Sequence, residues 1–488
     1  MPKIRFDFNN MMDFNVGVHG VKPSELKTFS ARAGKAFNHL TSVLKNRQSR
    51  IALSLEWSKL PLQDKKVVAS IQRLGKGIAD KYENVISLGI GGSYLGIKAA
   101  QDALLPPYYN DFPGVRKGSP RIFFEGNNLD PVTLSSLLSN LNPRKTFVVV
   151  ISKSGETTET KAALELVEAW LKRGAGAKFA RQIIAVTDPK AGTLRKKVSE
   201  ASAKDPLAYR SLPLLEGVGG RFSELNMGLL HLAITGVKIA EVLEGAADMA
   251  KSCALADMFK NPALFYASLS VIAYEKKGKP ISIIMPFSEQ LKSTADWYIQ
   301  LLAESTGKKY ARKVVLEQGA EKWVEDRSDL INTGRTPISA RGTNDLHSIQ
   351  QNNIEGRNDK IVTFIRIEKF RKDLKLPVSD DFLSGRALSG LLKTAQEGTA
   401  WALNREMRPN CTISLRELNA YYWGALLFFF EMATAFEGEL LGVNAFNQPG
   451  VESYKNYMFH KLKKPGISKE VAREIDGNPM KRIKKYIL

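Results

Sequence analysis

Apolar residues recur at three-to-four spacing from Ala31 to Leu44 and from Asp64 to Tyr82. That is the period of a helix with one buried face. Beyond Tyr82 the period changes. Val85–Ile90, Arg121–Phe124, Thr146–Ile151 and Gln182–Thr187 are short apolar runs, and helical patterns such as Lys161 to Arg173 lie between them. Strands that are apolar throughout are buried on both faces, so their alternation with helices predicts a parallel sheet between two helical layers. A long helical stretch is predicted over Phe222–Ala256. A second α/β region starts at Ile281–Met285, with candidate strands at Lys313–Leu316 and Lys360–Ile365. Roughly the last hundred residues return to a helical pattern.

The most hydrophobic stretch, Tyr421–Phe430, is about half the length of a membrane-spanning helix, and Glu431 and Glu437 follow it. It reads as a buried core helix. At 488 residues the chain is long enough for two to four folding units, and its 43% hydrophobic and 25% charged residues are those of a globular protein. The first residues, Met-Pro-Lys-Ile-Arg-Phe-Asp, lack the apolar core of a secretory signal. Cys253 and Cys411 make no disulfide framework, and the five histidines show no metal-ligand spacing. The expectation is a cytoplasmic protein with no membrane span and no metal. The net charge of +21 is spread along the chain, densest at Lys481–Tyr486. It suits a solvated basic surface and an anionic small molecule, and it carries no nucleic-acid recognition motif.

Candidate chemistry sits at strand ends. Leu88-Gly-Ile-Gly-Gly-Ser-Tyr-Leu-Gly96 follows an apolar run. Glycines there let backbone N–H groups approach an anion at a helix start. Tyr94 occupies the third glycine position of a dinucleotide fingerprint, and no Gly-Lys-Ser/Thr follows as in a P-loop. Alone, the turn is as readily a plain tight turn. Ile151-Ser-Lys-Ser-Gly-Glu-Thr-Thr-Glu-Thr160 follows the next long run, and Ser152, Ser154 and Thr157 set hydroxyls at a second strand-to-helix turn. These suit a phosphate monoester, although Ser and Thr also cap ordinary helices. Two such turns on one sheet favour a ligand crevice.

Further motifs carry charged groups. In Gly217-Val-Gly-Gly-Arg-Phe-Ser223, Arg221 is placed either to meet an oxyanion or to sit in a surface turn. Trp297, Leu301 and Glu304 share one helical face, and Gly307 is a candidate helix stop. An apolar stripe and the negative helix end both raise a carboxylate's pKa, which suits a general base. The alternative is a Glu at the edge of the stripe with its head in water. His347, in Gly342-Thr-Asn-Asp-Leu-His347, is suited to moving protons near neutrality, or is structural. Lys455, in Phe446-Asn-Gln-Pro-Gly-Val-Glu-Ser-Tyr-Lys455, is placed in a helix beginning after Pro449-Gly450, and by itself reads as a surface lysine.

Together and in this order, the motifs resemble the glucose-6-phosphate isomerase family, from the Gly-Ile-Gly-Gly-Ser turn to Lys455. Val218-Gly-Gly-Arg-Phe-Ser223 and Phe446-Asn-Gln-Pro-Gly-Val-Glu452 are the most specific segments, and the latter is similar to the bacterial form. The resemblance implies an α/β fold with two sugar-isomerase (SIS) domains, each a three-layer α/β/α unit around a parallel sheet, plus flanking N- and C-terminal helices. It suggests residues 1–60 as an N-terminal helical segment packing on the second domain. Residues 61–240 and 241–410 would be the two SIS domains, and 411–488 a C-terminal helical segment. It implies a homodimer with shared active sites, one histidine coming from the partner chain, and neither metal nor organic cofactor.

Carried over by position, Ser93, Ser152, Ser154 and Thr157 would hold the sugar phosphate, with Gly92 and Lys153 beside them. Glu304 matches the base that moves a proton between the first two carbons. Arg221 and the Gly220 backbone would stabilise the enediolate. His347 and Lys455 match the ring-opening pair, and Gln448 would contact the substrate near the reacting carbons. The chain departs from the family in its basic charge, in Tyr94 where Asp is common, and in Glu156 within the hydroxyl cluster. Two other readings are a related sugar-phosphate isomerase that also takes mannose 6-phosphate, and a non-catalytic sugar-phosphate sensor.

Overall fold

The computed structural model describes residues 4–488. They divide into two compact units, one ending at Ala445 and the other Phe446–Leu488.

The first unit holds two five-stranded sheets. One is built from β2 (Asn84–Leu88), β3 (Arg121–Glu125), β4 (Thr146–Ile151), β5 (Ile183–Thr187) and β6 (Arg210–Pro213), in the order β3-β2-β4-β5-β6 and parallel throughout. Every residue of β2, β4 and β5 is buried, including the polar Asn84, Ser87, Thr146 and Thr187, as strands covered on both faces require. Ile86, Leu88, Val148 and Val150 pack on Leu164, Val167 and Leu171 of the Thr158–Ala175 helix. The strand order reverses beside β2: the chain adds β3 on one side, then β4 on the other. In an open parallel sheet that switch point leaves a crevice at the carboxyl ends of the strands.

The second sheet has the order β1-β12-β11-β7-β10, from β1 (Arg5–Asp7), β7 (Ile281–Pro286), β10 (Thr336–Ser339), β11 (Lys360–Lys369) and β12 (Asn410–Glu417). Only β1 is antiparallel, pairing Arg5 with Ser414. The Ala420–Leu440 helix is buried along nearly its whole length and packs against the helices Ile239–Cys253, Pro262–Lys277 and Lys292–Thr306. Asn419 starts it by accepting the Tyr422 N–H at 2.9 Å. No helix among the described residues is long and apolar enough to cross a membrane.

Several expectations need correction. Lys313–Leu316 is a strand but not of a parallel sheet: it lies within β8 (Lys308–Glu317), which pairs only with β9 (Ala320–Thr333) as an antiparallel hairpin. Gln318 and Gly319 turn it, at φ +51° and +79°. Positive φ at both central residues matches the twist of a two-residue hairpin. Phe222–Ala256 is three helices, Glu224–Met227, Leu229–Ile234 and Ile239–Cys253, broken at Gly228 and Gly236. The C-terminal hundred residues are not all helix. A boundary at residue 410 separates β12 from the sheet it belongs to, and one at residue 240 cuts the Ile239–Cys253 helix. The N-terminal segment is not wholly helical either, since β1 joins the edge of the second sheet; residues 1–3 lie outside the described residues.

Candidate active site

Two turns meet the crevice at the switch point. After β2, residues Gly91–Ser93 form a tight helical turn that leads into the Leu95–Leu104 helix. Gly92 is required there by proximity: a Cβ on it would lie 2.2 Å from the Gly220 carbonyl oxygen. Gly96 is needed for the same reason further along, where a Cβ would lie 1.9 Å from Glu224 Cγ. The two glycines let the first turn lie directly against the arginine-bearing segment. Ser93 Oγ donates to Met227 Sδ at 3.7 Å, a weak bond.

After β4, Ser152 is buried and Lys153 and Ser154 are exposed. Ser152 Oγ accepts the Gly155 N–H at 3.0 Å and Ser154 Oγ accepts the Glu156 N–H at 3.1 Å. Each hydroxyl is thereby fixed and keeps its own proton to donate. Thr157 precedes the Thr158–Ala175 helix and its side chain makes no capping bond. The first N–H groups of that helix thus receive no cap from Thr157, and the positive end of the dipole lies at this turn. Glu156, which would oppose an anion, is drawn to Lys161 at 3.7 Å.

Arg221 lies opposite the first turn, in the Gly220–Phe222 turn. It is 2% exposed, so it is no surface residue. Phe222 stacks on Trp57 at 4.8 Å and anchors the segment. The guanidinium donates from Nε to Ser305 Oγ at 2.8 Å, from Nη1 to Glu304 Oε2 at 3.1 Å, and from Nη2 to the main-chain oxygens of Ala445 (2.6 Å) and Glu304 (3.3 Å). Burial lowers the pKa of the guanidinium, and the Glu304 charge opposes that shift.

Glu304 stands in the last turn of the Lys292–Thr306 helix, whose stop is Gly307. Trp297 and Leu301 on the same face are fully buried, while the Glu304 side chain is 30% exposed. The carboxylate is thus reachable from one side and held from the other. Trp297 ties the helix to the arginine segment, donating from Nε1 to Glu224 Oε1 at 2.9 Å. Gln300, one turn before Glu304, donates to Glu304 Oε1 at 3.4 Å, and its own Oε1 is buried without a partner. Its amide also lies 3.0 Å from where a Gly91 Cβ would stand. Sequence reasoning missed Gln300, Ser305 and Lys308; the i−4 spacing of Gln300 from Glu304 was the available signal.

The first unit thus brings Gly92, Ser93, Gly220, Arg221 and Glu304 together, with the Ser152–Thr157 turn on the neighbouring strand of the same sheet edge. His347 is exposed, in the Asn344–His347 turn after β10, and no hydrogen bond or ion pair among the described residues links it to Arg221 or Glu304. Gln448 and Lys455 belong to the second unit. There Gln448 precedes the turn Pro449–Val451, and Lys455 is in the first turn of the Glu452–Lys461 helix, 2.9 Å from Glu452 Oε1. Among the described residues, no three His, Cys, Asp or Glu side chains are grouped to hold a metal ion.

Two hydroxyl-bearing turns at the switch point of a parallel sheet, the first of them beside a partly exposed carboxylate paired with a buried arginine, define a doubly wound α/β protein with the makings of a ligand site. The phosphoglucose isomerase family model matches residues 63–368. The chain is 34% identical over 474 residues to a glucose-6-phosphate isomerase of Carboxydothermus hydrogenoformans, covering 96% of each chain. It is 35% identical over 456 residues to one from Symbiobacterium thermophilum, covering 92% of this chain and 94% of that relative. Among solved structures, the hypothetical protein TT0462 from Thermus thermophilus aligns with a TM-score of 0.78 at 30% identity, over 94% of this chain and 99% of that one. A glucose-6-phosphate isomerase from Chlamydia trachomatis shares the fold, with a TM-score of 0.76 at 23% identity over 94% and 89%. The chain belongs to the phosphoglucose isomerase family.

Proposed function

We propose that the protein is a glucose-6-phosphate isomerase, interconverting glucose 6-phosphate and fructose 6-phosphate by proton transfer between neighbouring carbons. The observation that carries this reading is the Glu304 carboxylate set 3.1 Å from the buried Arg221 guanidinium, beside the Gly91–Ser93 turn. Removing a proton next to a carbonyl needs a base and a donor for the oxygen that becomes negative. Glu304 takes the proton from one carbon and returns it to the other. Arg221 and the Gly220 backbone steady the enediolate between those steps. Ser93, Ser152, Ser154 and Thr157, with Gly92 and Lys153, hold the phosphate, whose binding energy fixes the reacting carbons over Glu304.

His347 and Lys455 open the sugar ring, and Gln448 contacts the substrate near the reacting carbons. The exposure of His347, with no bond to Arg221 or Glu304 among the described residues, supports a homodimer in which each site receives the partner's histidine. Each sheet serves as the core of one sugar-isomerase domain. The protein works in the cytoplasm, on a sugar phosphate, without nucleic acid or cofactor.

Activity on fructose 6-phosphate, coupled to glucose-6-phosphate dehydrogenase, tests the reading. Glu304→Gln should lower kcat by about 10³-fold or more, within the range of general acid–base catalysis. Undiminished activity in that variant removes Glu304 as the base, and an inactive wild-type protein removes the substrate assignment.

A further inference from the structure

Lys308 opens β8 four residues after Glu304, yet its side chain runs back to the helix that carries Glu304. The ammonium donates to the main-chain oxygen of Ser305 at 2.9 Å and to that of Glu304 as well. The same Glu304 oxygen also accepts from Arg221 Nη2. Two cations from separate segments thus converge on one carbonyl of the residue that bears the carboxylate.

The helix needs such a partner. Its last four carbonyls have no intrahelical donor. A left-handed glycine after the helix end commonly turns the chain back to supply N–H groups, but Gly307 is at φ −70° and its N–H reaches only Ala303. Lys308 supplies the donors instead, and its positive charge opposes the negative end of the helix. It does so at a cost, because the residue is 8% exposed and, among the described residues, no carboxylate lies within ion-pair distance of it. The charged groups facing it are Arg221, Glu304 and Glu325. Burial first and Arg221 second bring its pKa down to about 7. A lysine kept for stability alone is poorly placed there; an uncharged donor would satisfy the same two oxygens more cheaply.

The geometry points to Lys308 as a positioning residue for the isomerisation, one that locks the final helical turn so that the Glu304 carboxylate stays aimed across the Arg221 guanidinium. This rests on Glu304 being the base. Without the lysine the last turn frays, and a displacement of about 1 Å at the base costs up to about 10²-fold in rate. Substrate is held by the turns after β2 and β4, so its affinity is little affected.

The test is steady-state kinetics of Lys308→Met, Lys308→Gln and Lys308→Arg across the pH range, beside wild type and Glu304→Gln. With kcat referred to the folded fraction measured by circular dichroism, so that partial unfolding does not mimic the effect, Lys308→Met should lose about 10–10² of kcat with KM for fructose 6-phosphate changed less than about threefold. Its kcat/KM profile should move its acid limb to higher pH, because a cation beside the carboxylate is gone. Lys308→Arg, which keeps charge and donors, should recover most of kcat. If Lys308→Met does not fold, Lys308→Gln decides through the same acid limb, since it keeps a donor and lacks the charge. Wild-type kcat and an unmoved profile in the folded variant, with Glu304→Gln inactive, overturn the positioning role alone. Activity surviving in Glu304→Gln overturns the assignment of the base instead.

Discussion

Arg221 and Glu304 are joined twice. Nη1 of the arginine donates to the carboxylate at 3.1 Å, and Nη2 donates to the main-chain oxygen of the same residue at 3.3 Å. The cation is buried and the anion is partly open. One planar guanidinium therefore fixes both ends of Glu304 while also bonding Ser305 and Ala445. A lysine has one nitrogen and cannot span these acceptors. Arg221→Lys should fold, and should lose about 10²–10³ in kcat, as when one preorganised donor to a developing oxyanion is removed. Kinetics with fructose 6-phosphate check this; a variant within a few-fold of wild type would show that the cation matters only as a charge.

The two hydroxyls of the second turn differ in burial, and this separates their effects. Ser152 is 5% exposed and Ser154 is exposed. A hydrogen bond to a charged group is worth about 1.5–3 kcal/mol when desolvated, hence about 10–100-fold in affinity. Ser152→Ala should raise KM toward the upper end of that range and Ser154→Ala toward the lower, with kcat less changed in both. Inorganic phosphate, as a competitive inhibitor, should weaken in the same order. Equal effects, or effects on kcat alone, would take the phosphate away from this turn.

Beneath the arginine segment, Glu224 and Glu431 are both buried, and Glu224 Oε2 meets no donor other than Glu431. Burial pushes Glu224 up to about 8, and burial together with the Glu224 charge raises Glu431 well above the carboxylate range. The folded pair keeps a proton that the unfolded chain releases near the ordinary Glu value of about 4.3. Between these values the native state binds more protons than the unfolded state, so stability must fall as pH rises through the window. The double variant Glu224→Gln/Glu431→Gln retains an oxygen for Trp297 and leaves no carboxyl at either position, so it removes that titration. Calorimetry between pH 6 and pH 9 should show the wild-type Tm falling by several degrees more than that of the variant. Other titrating groups, Lys308 among them, are common to both proteins. Parallel Tm curves would mean the pair does not share a proton.

How much of this is legible from residues alone follows from where the constraints act. β4 can be read at its observed limits because both of its faces are buried, and burial on both faces writes an unbroken apolar run. β1, β6 and β10 are only three or four residues long and too short to carry a period. β8 is visible as a strand, but its antiparallel partner is dictated by Gln318 and Gly319, not by its apolar positions. At the site, helical spacing puts Glu304 on the Trp297 face. The contact with Arg221 joins residues 83 positions apart, and no local period records such a pair. Lys308 is hidden for the opposite reason: four residues from Glu304, it sits in a strand, and its direction is set by the orphaned helix carbonyls.

His347 provides the test of assembly. In its own chain it is exposed and not linked to Arg221 or Glu304 among the described residues. If each site takes Glu304 from one subunit and His347 from the other, two inactive variants should restore one another. In a mixed dimer of Glu304→Gln with His347→Ala, one site carries both lesions and the other carries neither. Random reassortment makes half the dimers mixed, with half of their sites intact, so about a quarter of wild-type activity should return for a two-fold symmetric dimer. The measurement is activity after the separately inactive variants are mixed, dissociated and allowed to reassociate, against each variant taken alone through the same cycle. Recovery near that fraction establishes that the sites are shared. Recovery absent in mixtures shown by mass spectrometry to contain the mixed dimer would place both groups in one chain's site, and the exposed position of His347 would then have to close over the substrate from within its own subunit.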